Sequence, residues 1–433
     1  MVFELIIISN LKNLLITQKL NKPKVYLNHN KKQSKMSLLI KNGKICINGV
    51  ITNKNIFIQE NKITKLTNHE IKSDKTIDAK GKIIIPGLID SHVHFREPGL
   101  TQKEDFLTGS MAAAAGGITT ILDMPNTIPA TTNLERLDEK RRLAKKSLVN
   151  YGFHFGSTDD NIAEIKKAKN IASVKLYLES TTGSLMLEKE NTIKNIFLNS
   201  EMVAVHAENE NVQKTIELTK QSNNKLYLCH ISSKEELDYI KKGKNNRIFA
   251  EVTPHHLFLT AKDLNELQSF AEMKPGLKTK EDQDALWKAI SDGTIDTIAT
   301  DHAPHLKEEK LEINYPFGVP GCETLLPLLL NTMQQNKITL KKITQLCCEN
   351  PAKIFKIKNK GLIKEGYDAD LTIIDLNLEK EVKNDELFTK CKWSPYNTWN
   401  LKGWPVTTIV NGNIVFENGK INKIAAKEVD YNE

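Results

Sequence analysis

Several histidines, one lysine and one aspartate in this chain fall at or near the ends of apolar runs. His92-Val93-His94 follows Pro86-Gly87-Leu88-Ile89-Asp90-Ser91. Residues two apart on a strand point to the same side, so both imidazoles can grip one metal ion. The pair alone is a weak signal, because two partly exposed histidines would look the same. His206 closes Val203-Ala204-Val205-His206, and His230 closes Leu226-Tyr227-Leu228-Cys229-His230. Asp301 closes Ile298-Ala299-Thr300-Asp301 and is followed by His302 and His305. Lys175 sits inside the apolar run Val174-Lys175-Leu176-Tyr177. An isolated ammonium is too costly to bury there, so it must be paired, neutral or modified. Arg96 lies two residues past His94, on the same side. Its guanidinium fork suits a carboxylate, and a surface salt bridge with Glu97 is the plain alternative. His255-His256 would point oppositely on an extended segment and rarely chelate one ion, so a structural or supporting role is expected. His154, in Gly152-Phe153-His154-Phe155, reads as a satisfied core histidine.

These residues need a scaffold that makes strand ends converge. Eight candidate strands run through the middle of the chain: 83–89, 119–124, 150–155, 173–178, 202–206, 225–230, 248–252 and 294–300. Helical patterns at 103–115, 134–146, 209–221, 233–242 and 280–291 separate most of them. Strands alternating with helices predict a (β/α)₈ barrel, in which the C-terminal strand ends form one mouth. An open doubly wound sheet is the alternative. It is weakened because no G-x-G-x-x-G loop follows the first strand.

The two ends of the chain differ from the middle. Short strands at 38–41, 44–47 and 55–59 are punctuated by Asn-Gly turns. The same style returns at 370–375, and a hairpin around Asn411-Gly412 is expected at 407–416. The fold expected is α/β: a TIM-like (β/α)₈ barrel over 87–359, with a small β-sandwich domain built from 36–86 and 360–425.

The net charge of +8 is concentrated, since residues 1–35 hold seven Lys and one Glu. A nucleic-acid-binding protein usually carries its excess on the folded body, so no nucleic-acid partner is expected. The basic extension admits three readings: an arm, a targeting peptide, or translated upstream sequence with Met36 as the start. It has neither the cleavage site of a secretory signal nor the arginines of a transit peptide. No apolar run approaches the ~18 residues of a membrane-spanning helix, so no membrane role is expected. The six cysteines form no C-x-x-C pair. They are read as reduced, buried thiols of a cytoplasmic protein.

The motifs also resemble a known family. Gly87 through Gly99 (GLIDSHVHFREPG), Asp123-Met124-Pro125-Asn126-Thr127, Val174 through Leu178 and Ala299-Thr300-Asp301-His302-Ala303-Pro304-His305 look like the signatures of the dihydroorotases. These are cyclic amidohydrolases of the amidohydrolase superfamily. The resemblance runs from about Met36 to Lys420 and does not reach residues 1–35. It implies two zinc ions per subunit. His92 and His94 would hold the first ion, His206 and His230 the second, and Lys175, carboxylated by carbon dioxide, would bridge them. Asp301 would bind the first ion and shuttle a proton. His94, Arg96, Asn126 and His305 would contact the substrate, with Arg96, Asn126 and His305 holding its carboxylate. Backbone at Phe317 and Gly318, in Tyr315-Pro316-Phe317-Gly318-Val319-Pro320-Gly321, would contact the ring. Lys274 departs from the Asn or Arg of the family and is either a substrate donor or a solvated lysine. The loop 179–183, with Thr181 and Thr182, would close over the site.

The implied reaction is the reversible closure of N-carbamoyl-L-aspartate to dihydroorotate in pyrimidine biosynthesis. An allantoinase or hydantoinase is the runner-up, and Arg96 argues against it because those substrates lack the carboxylate. A non-catalytic scaffold is the other rival, and such homologues typically lose metal ligands. A small-molecule substrate is expected. A homo-oligomer, or contact with other pyrimidine-pathway enzymes, is left open by the sequence.

Overall fold

The barrel is assembled strand by strand in sequence order. In the computed structural model, which describes residues 37–180, 183 and 185–432, eight parallel strands pair consecutively. They are β1 (Leu88–Val93), β2 (Ile118–Asp123), β3 (Asn150–Gly156), β4 (Ser173–Tyr177), β5 (Met202–His206), β6 (Lys225–Leu228), β7 (Ile248–Val252) and β8 (Thr297–Ile298). Helices follow most of them, and their starts are written in the sequence. Asp105 caps Phe106–Ala115, Ser233 forms a capping box with Glu236, and Thr279 forms one with Asp282. Two apolar layers result. The cluster between strands and helices includes Leu88, Val205 and Leu286, while Ile89, Leu122, Ala204, Tyr227 and Phe355 belong to a second cluster. Residues 1–35 and Met36 lie outside the described residues, as do Thr181 and Thr182.

Closure between β8 and β1 uses a side chain. β8 is short, so few backbone groups can pair there. The Asp90 carboxylate instead accepts the Thr300 N–H at 3.0 Å and the Thr300 hydroxyl at 2.6 Å. Just beyond, the His94 N–H donates to His302 O at 2.8 Å. Burial pushes the Asp90 carboxyl up to about 6.

Two further sheets use the rest of the unit Ser37–Glu433. One has four strands, all within 37–78. The other has seven, and it joins Lys44–Ile47, Val50–Asn53 and Ile83–Pro86 to Leu371–Glu381 and Asn400–Val410 from the other end of the chain. Ile40, Ile56 and Ile58 from the first sheet share a core with Ile84, Leu371 and Ile409 from the second. The expected sandwich from both chain ends is therefore present.

Three sequence expectations need correction. The run 83–89 is two strands, not one. Ile83–Pro86 pairs in the seven-stranded sheet, the Gly87 N–H donates to Asp370 O at 2.9 Å, and β1 begins at Leu88. Any side chain at Gly87 would meet Thr119 at 2.2 Å, so the crossover from sandwich to barrel needs glycine. Strand 294–300 shrinks to Thr297–Ile298, because Thr300 is held by Asp90. His255-His256 lies in a short helix, Pro254–Phe258, not on an extended segment. Beyond these, the tail 427–432 runs along the strand starts. It pairs with Tyr151 and Ile357 and buries Val429 in the Phe355 cluster.

Thr300→Val is expected to lower stability by about 1–3 kcal/mol, because a buried carboxylate oxygen loses its hydroxyl donor. Urea denaturation checks this, and an unchanged midpoint would show that the latch does not hold the barrel closed.

Candidate active site

The strand order brings distant residues to one cleft. It is lined by His92, His94, Arg96, Asn126, Lys175, Tyr177, His206, His230, Lys274, Asp301, Ala303, Phe317 and Gly318. His305 sits behind this wall, with Nε2 at 2.9 Å from Arg96 Nη2. Three residues here that are not glycine have positive φ: Arg96 (63°), His230 (37°) and Asp301 (46°). Such backbone is costly for residues with a Cβ and recurs at functional sites.

One half of the cleft is an imidazole cluster. Asp301 Oδ1 lies 2.9 Å from His94 Nε2 and 3.3 Å from His92 Nε2. Ligand atoms of His92, His230 and Asp301 lie within 4.8 Å of one another. The His206 and His230 rings are 4.4 Å apart; His230 Nδ1 is buried without a hydrogen-bond partner, and His206 Nε2 has only a long 3.5 Å contact with Glu208 Oε1. Unpartnered buried nitrogens are costly, and a cation would satisfy them. The donor set therefore fits a metal centre. Burial holds His94, His206 and His230 below the ordinary imidazole range, His94 at about 4, and the neutral ring is the ligating form. Burial also disfavours a charged His92, but Glu251 and Asp301 outweigh it and raise its pKa. For Asp301, burial is outweighed by His92 and His94, which keep the carboxyl well below its ordinary value.

Lys175 is wholly buried in β4. Its Nζ lies 3.0 Å from Cys229 Sγ and 5.0 Å over the Tyr177 ring. Among the described residues, no carboxylate lies within ion-pair distance of it.

The other half is cationic. Arg96 is 3% exposed; its Nε donates to Pro304 O at 3.1 Å. Burial lowers the guanidinium to about 10, so it stays charged at neutral pH. Among the described residues, no carboxylate pairs with it. Glu97 pairs with Lys146 at 2.9 Å instead, which removes the surface salt bridge as an account of Arg96. Asn126 Oδ1 meets His94 Nδ1 at 2.6 Å.

Two loop residues of the cleft have partners of their own. The Gly318 N–H is engaged by Glu272 O at 2.9 Å and its carbonyl by Lys310 at 3.2 Å. Gly318 therefore shapes the wall by lacking a side chain, since a Cβ would come within 2.6 Å of Ala303 O. Lys274 is half-buried and lines the cleft. Its Nζ donates to Ser180 O at 2.9 Å and lies 4.8 Å over the Phe317 ring, so it ties Ser180 to the opposite wall.

The amidohydrolase family profile matches residues 83–415. This chain belongs to the amidohydrolase family. Relatives of this amidohydrolase include the dihydroorotase of Methanosarcina acetivorans, 36% identical, with 88% of this chain and 92% of the relative covered. The dihydroorotase of Pyrococcus horikoshii is 37% identical, with the same coverage of 88% and 92%. These relatives bear out the resemblance drawn from the motifs. Among solved structures, the L-hydantoinase (dihydropyrimidinase) of Arthrobacter aurescens matches with a TM-score of 0.85 at 26% identity, over 91% of this chain and all of that one.

The sequence reading missed the residues behind the amidohydrolase cleft. Glu251, in β7, accepts from His92 Nδ1 at 2.8 Å, the His230 N–H at 3.0 Å and the Tyr227 hydroxyl at 2.8 Å. It thereby turns His92 Nε2 toward the cleft. Lys310, wholly buried, donates to the carbonyls of Glu272, Pro316 and Gly318 at 2.9–3.2 Å and fixes the Phe317 loop. Tyr177 shares a face with Lys175, two residues away, and its hydroxyl is buried without a partner. Alternation along β4 could have flagged Tyr177. Glu251 breaks the apolar run Ile248–Val252 as Lys175 breaks its own, a signal that was there to find, whereas Lys310 carries no local signal. His154 bonds Ser173 Oγ and Ser91 O inside the core, and His256 bonds Thr253 and Pro275 O.

Glu251→Gln is expected to weaken metal affinity ~10–100-fold while the fold persists. Metal content during chelator titration, with circular dichroism on the same sample, measures both.

Proposed function

We propose that this amidohydrolase is a cytosolic dihydroorotase that reversibly closes N-carbamoyl-L-aspartate to (S)-dihydroorotate and water in pyrimidine biosynthesis. The observation that carries the reading is Arg96: a buried guanidinium in the cleft wall with no carboxylate partner among the described residues. A buried charge needs a counter-charge, and dihydroorotate brings one on its ring. A neutral hydantoin does not. The dihydroorotase relatives support the same choice.

His92, His94 and Asp301 would hold one zinc ion, and His206 and His230 a second, with Lys175 carboxylated on Nζ between them. When bound, the ions supply Lewis-acid activation of water and of the amide carbonyl. A carbamate turns the buried cation at Lys175 into an anionic ligand. In ring opening, Asp301 takes the proton of the attacking water and delivers it to the leaving ring nitrogen; in ring closure it reverses both transfers. Arg96, His305 and the Nδ2 end of Asn126 hold the ring carboxylate. Phe317 packs beside the ring. Lys274, by holding Ser180 near the opposite wall, helps exclude water.

An ultraviolet assay of dihydroorotate ring opening, with metal measured on the same sample, tests the whole reading. Activity should track bound metal, and hydantoin or allantoin turnover in its place would sink the assignment. Asp301→Asn is expected to retain metal and lose at least ~10²–10⁴-fold in turnover, as general acid–base residues contribute. Arg96→Met should keep its zinc yet lose catalytic efficiency toward dihydroorotate by roughly 30- to several-thousand-fold, from a cost of ~2–5 kcal/mol. A neutral hydantoin losing efficiency equally would show that Arg96 supports the fold rather than the carboxylate.

A further inference from the structure

We propose that Lys103 is a positioning residue that acts through His305, holding its imidazole in the tautomer that carries its proton on Nε2 and so leaves the Arg96 fork free for the substrate carboxylate. The inference rests on the reading of the cleft as a carboxylate receptor. Lys103 lies in the turn before the helix Phe106–Ala115 and is 9% exposed. Its Nζ lies 3.1 Å from His305 Nδ1 and 3.0 Å from Glu309 Oε1. An ammonium has three donors and no acceptor. The contact with Nδ1 is therefore a hydrogen bond only when Nδ1 carries a lone pair. The rival partner for an Nδ1–H is Glu309 Oε2. It stands at 3.8 Å and already accepts the Leu306 N–H at 3.0 Å.

His305 is wholly buried. Burial, reinforced by Arg96, Lys103 and Lys310, holds its pKa far below the ordinary value, so the ring is neutral. A neutral ring that accepts at Nδ1 carries its proton on Nε2. That nitrogen lies 2.9 Å from Phe317 O and 2.9 Å from Arg96 Nη2. Toward Phe317 the N–H has an acceptor. Toward Arg96, donor faces donor. A carboxylate oxygen that accepts from Arg96 removes the conflict by drawing the guanidinium N–H away from Nε2–H. The other tautomer reverses this logic. Nε2 would accept from Arg96 with its one lone pair and occupy the arm of the fork that the incoming anion needs. Lys103 thus decides whether the Arg96–His305 pair attracts a carboxylate or competes with it.

The test uses zinc-loaded full-length protein labelled with ¹⁵N-histidine, with His305 assigned as the signals lost in His305→Asn. Wild type and Lys103→Arg should show a protonated Nε2 and an unprotonated Nδ1 near neutral pH, because arginine too can only donate. Lys103→Met should shift both nitrogens toward the other tautomer. Its KM for dihydroorotate should rise roughly 10- to 100-fold, with kcat changing less. A wild-type His305 protonated on Nδ1, unmoved signals in Lys103→Met, or shifted signals with an unchanged KM would each overturn the proposal. If Lys103→Met does not fold, the wild-type and Lys103→Arg signals still decide it. Wild-type protein without dihydroorotase activity would remove the proposed function, while the nitrogen shifts would still decide the Lys103–His305 contact.

Discussion

The cost of burying charge in a barrel of apolar strands governs the rest of this structure. Lys175 is wholly buried between Val174 and Leu176, and its close neighbours are a thiol and an aromatic ring. Water would solvate that ammonium far better than these neighbours do. The arrangement is stable only if something else completes it. The surrounding imidazoles have the complementary problem, since His230 keeps a buried nitrogen without a partner and His206 Nε2 has only a 3.5 Å contact with Glu208. A carbamate on the lysine and two dications would resolve both at once, which is why the proposed centre accounts for the lysine and the histidines together.

Arg96 poses the same constraint on the opposite wall. Its fork is desolvated and held in place by Pro304 O beside His305, yet among the described residues no carboxylate neutralises it. The cleft is therefore divided into a side whose imidazoles and Asp301 suit metal ions and a side that lacks an anion. A substrate with a carboxylate at one end and a hydrolysable amide at the other fits that division. The hydantoinase match at a TM-score of 0.85 shows that the same barrel is found in proteins of another name, so the distinction lies in the wall rather than the fold.

Support behind the cleft comes from groups that never reach it. Glu251 bonds three groups at once, and Lys310 gathers three carbonyls from two loops. Such interactions hold the cleft residues before any ligand arrives, which lowers the cost of ordering them at binding. The three non-glycine residues with positive φ in the cleft need that support, because their backbone conformations are unfavourable in isolation.

The sequence by itself determined the strand-ending histidines, Lys175, Asp301 and Arg96, because each breaks an apolar period or follows a short motif. It also determined the alternation of strand and helix and the β-rich character of both ends, since periodicity and Asn-Gly turns are local properties. It did not reveal the break at Gly87. Apolar residues continue through that glycine, and only the packing against Thr119 and Asp370 separates two sheets there. It misplaced His255-His256 on a strand, where a proline-led turn of helix won. It could not anticipate that Lys274 would bond Ser180, that Glu251 would orient His92, or that Lys103 would meet His305, 202 residues away. Those pairings depend on where loops come to rest after the barrel closes. Local sequence carries the identity of a charged side chain, and only the tertiary structure supplies its partner.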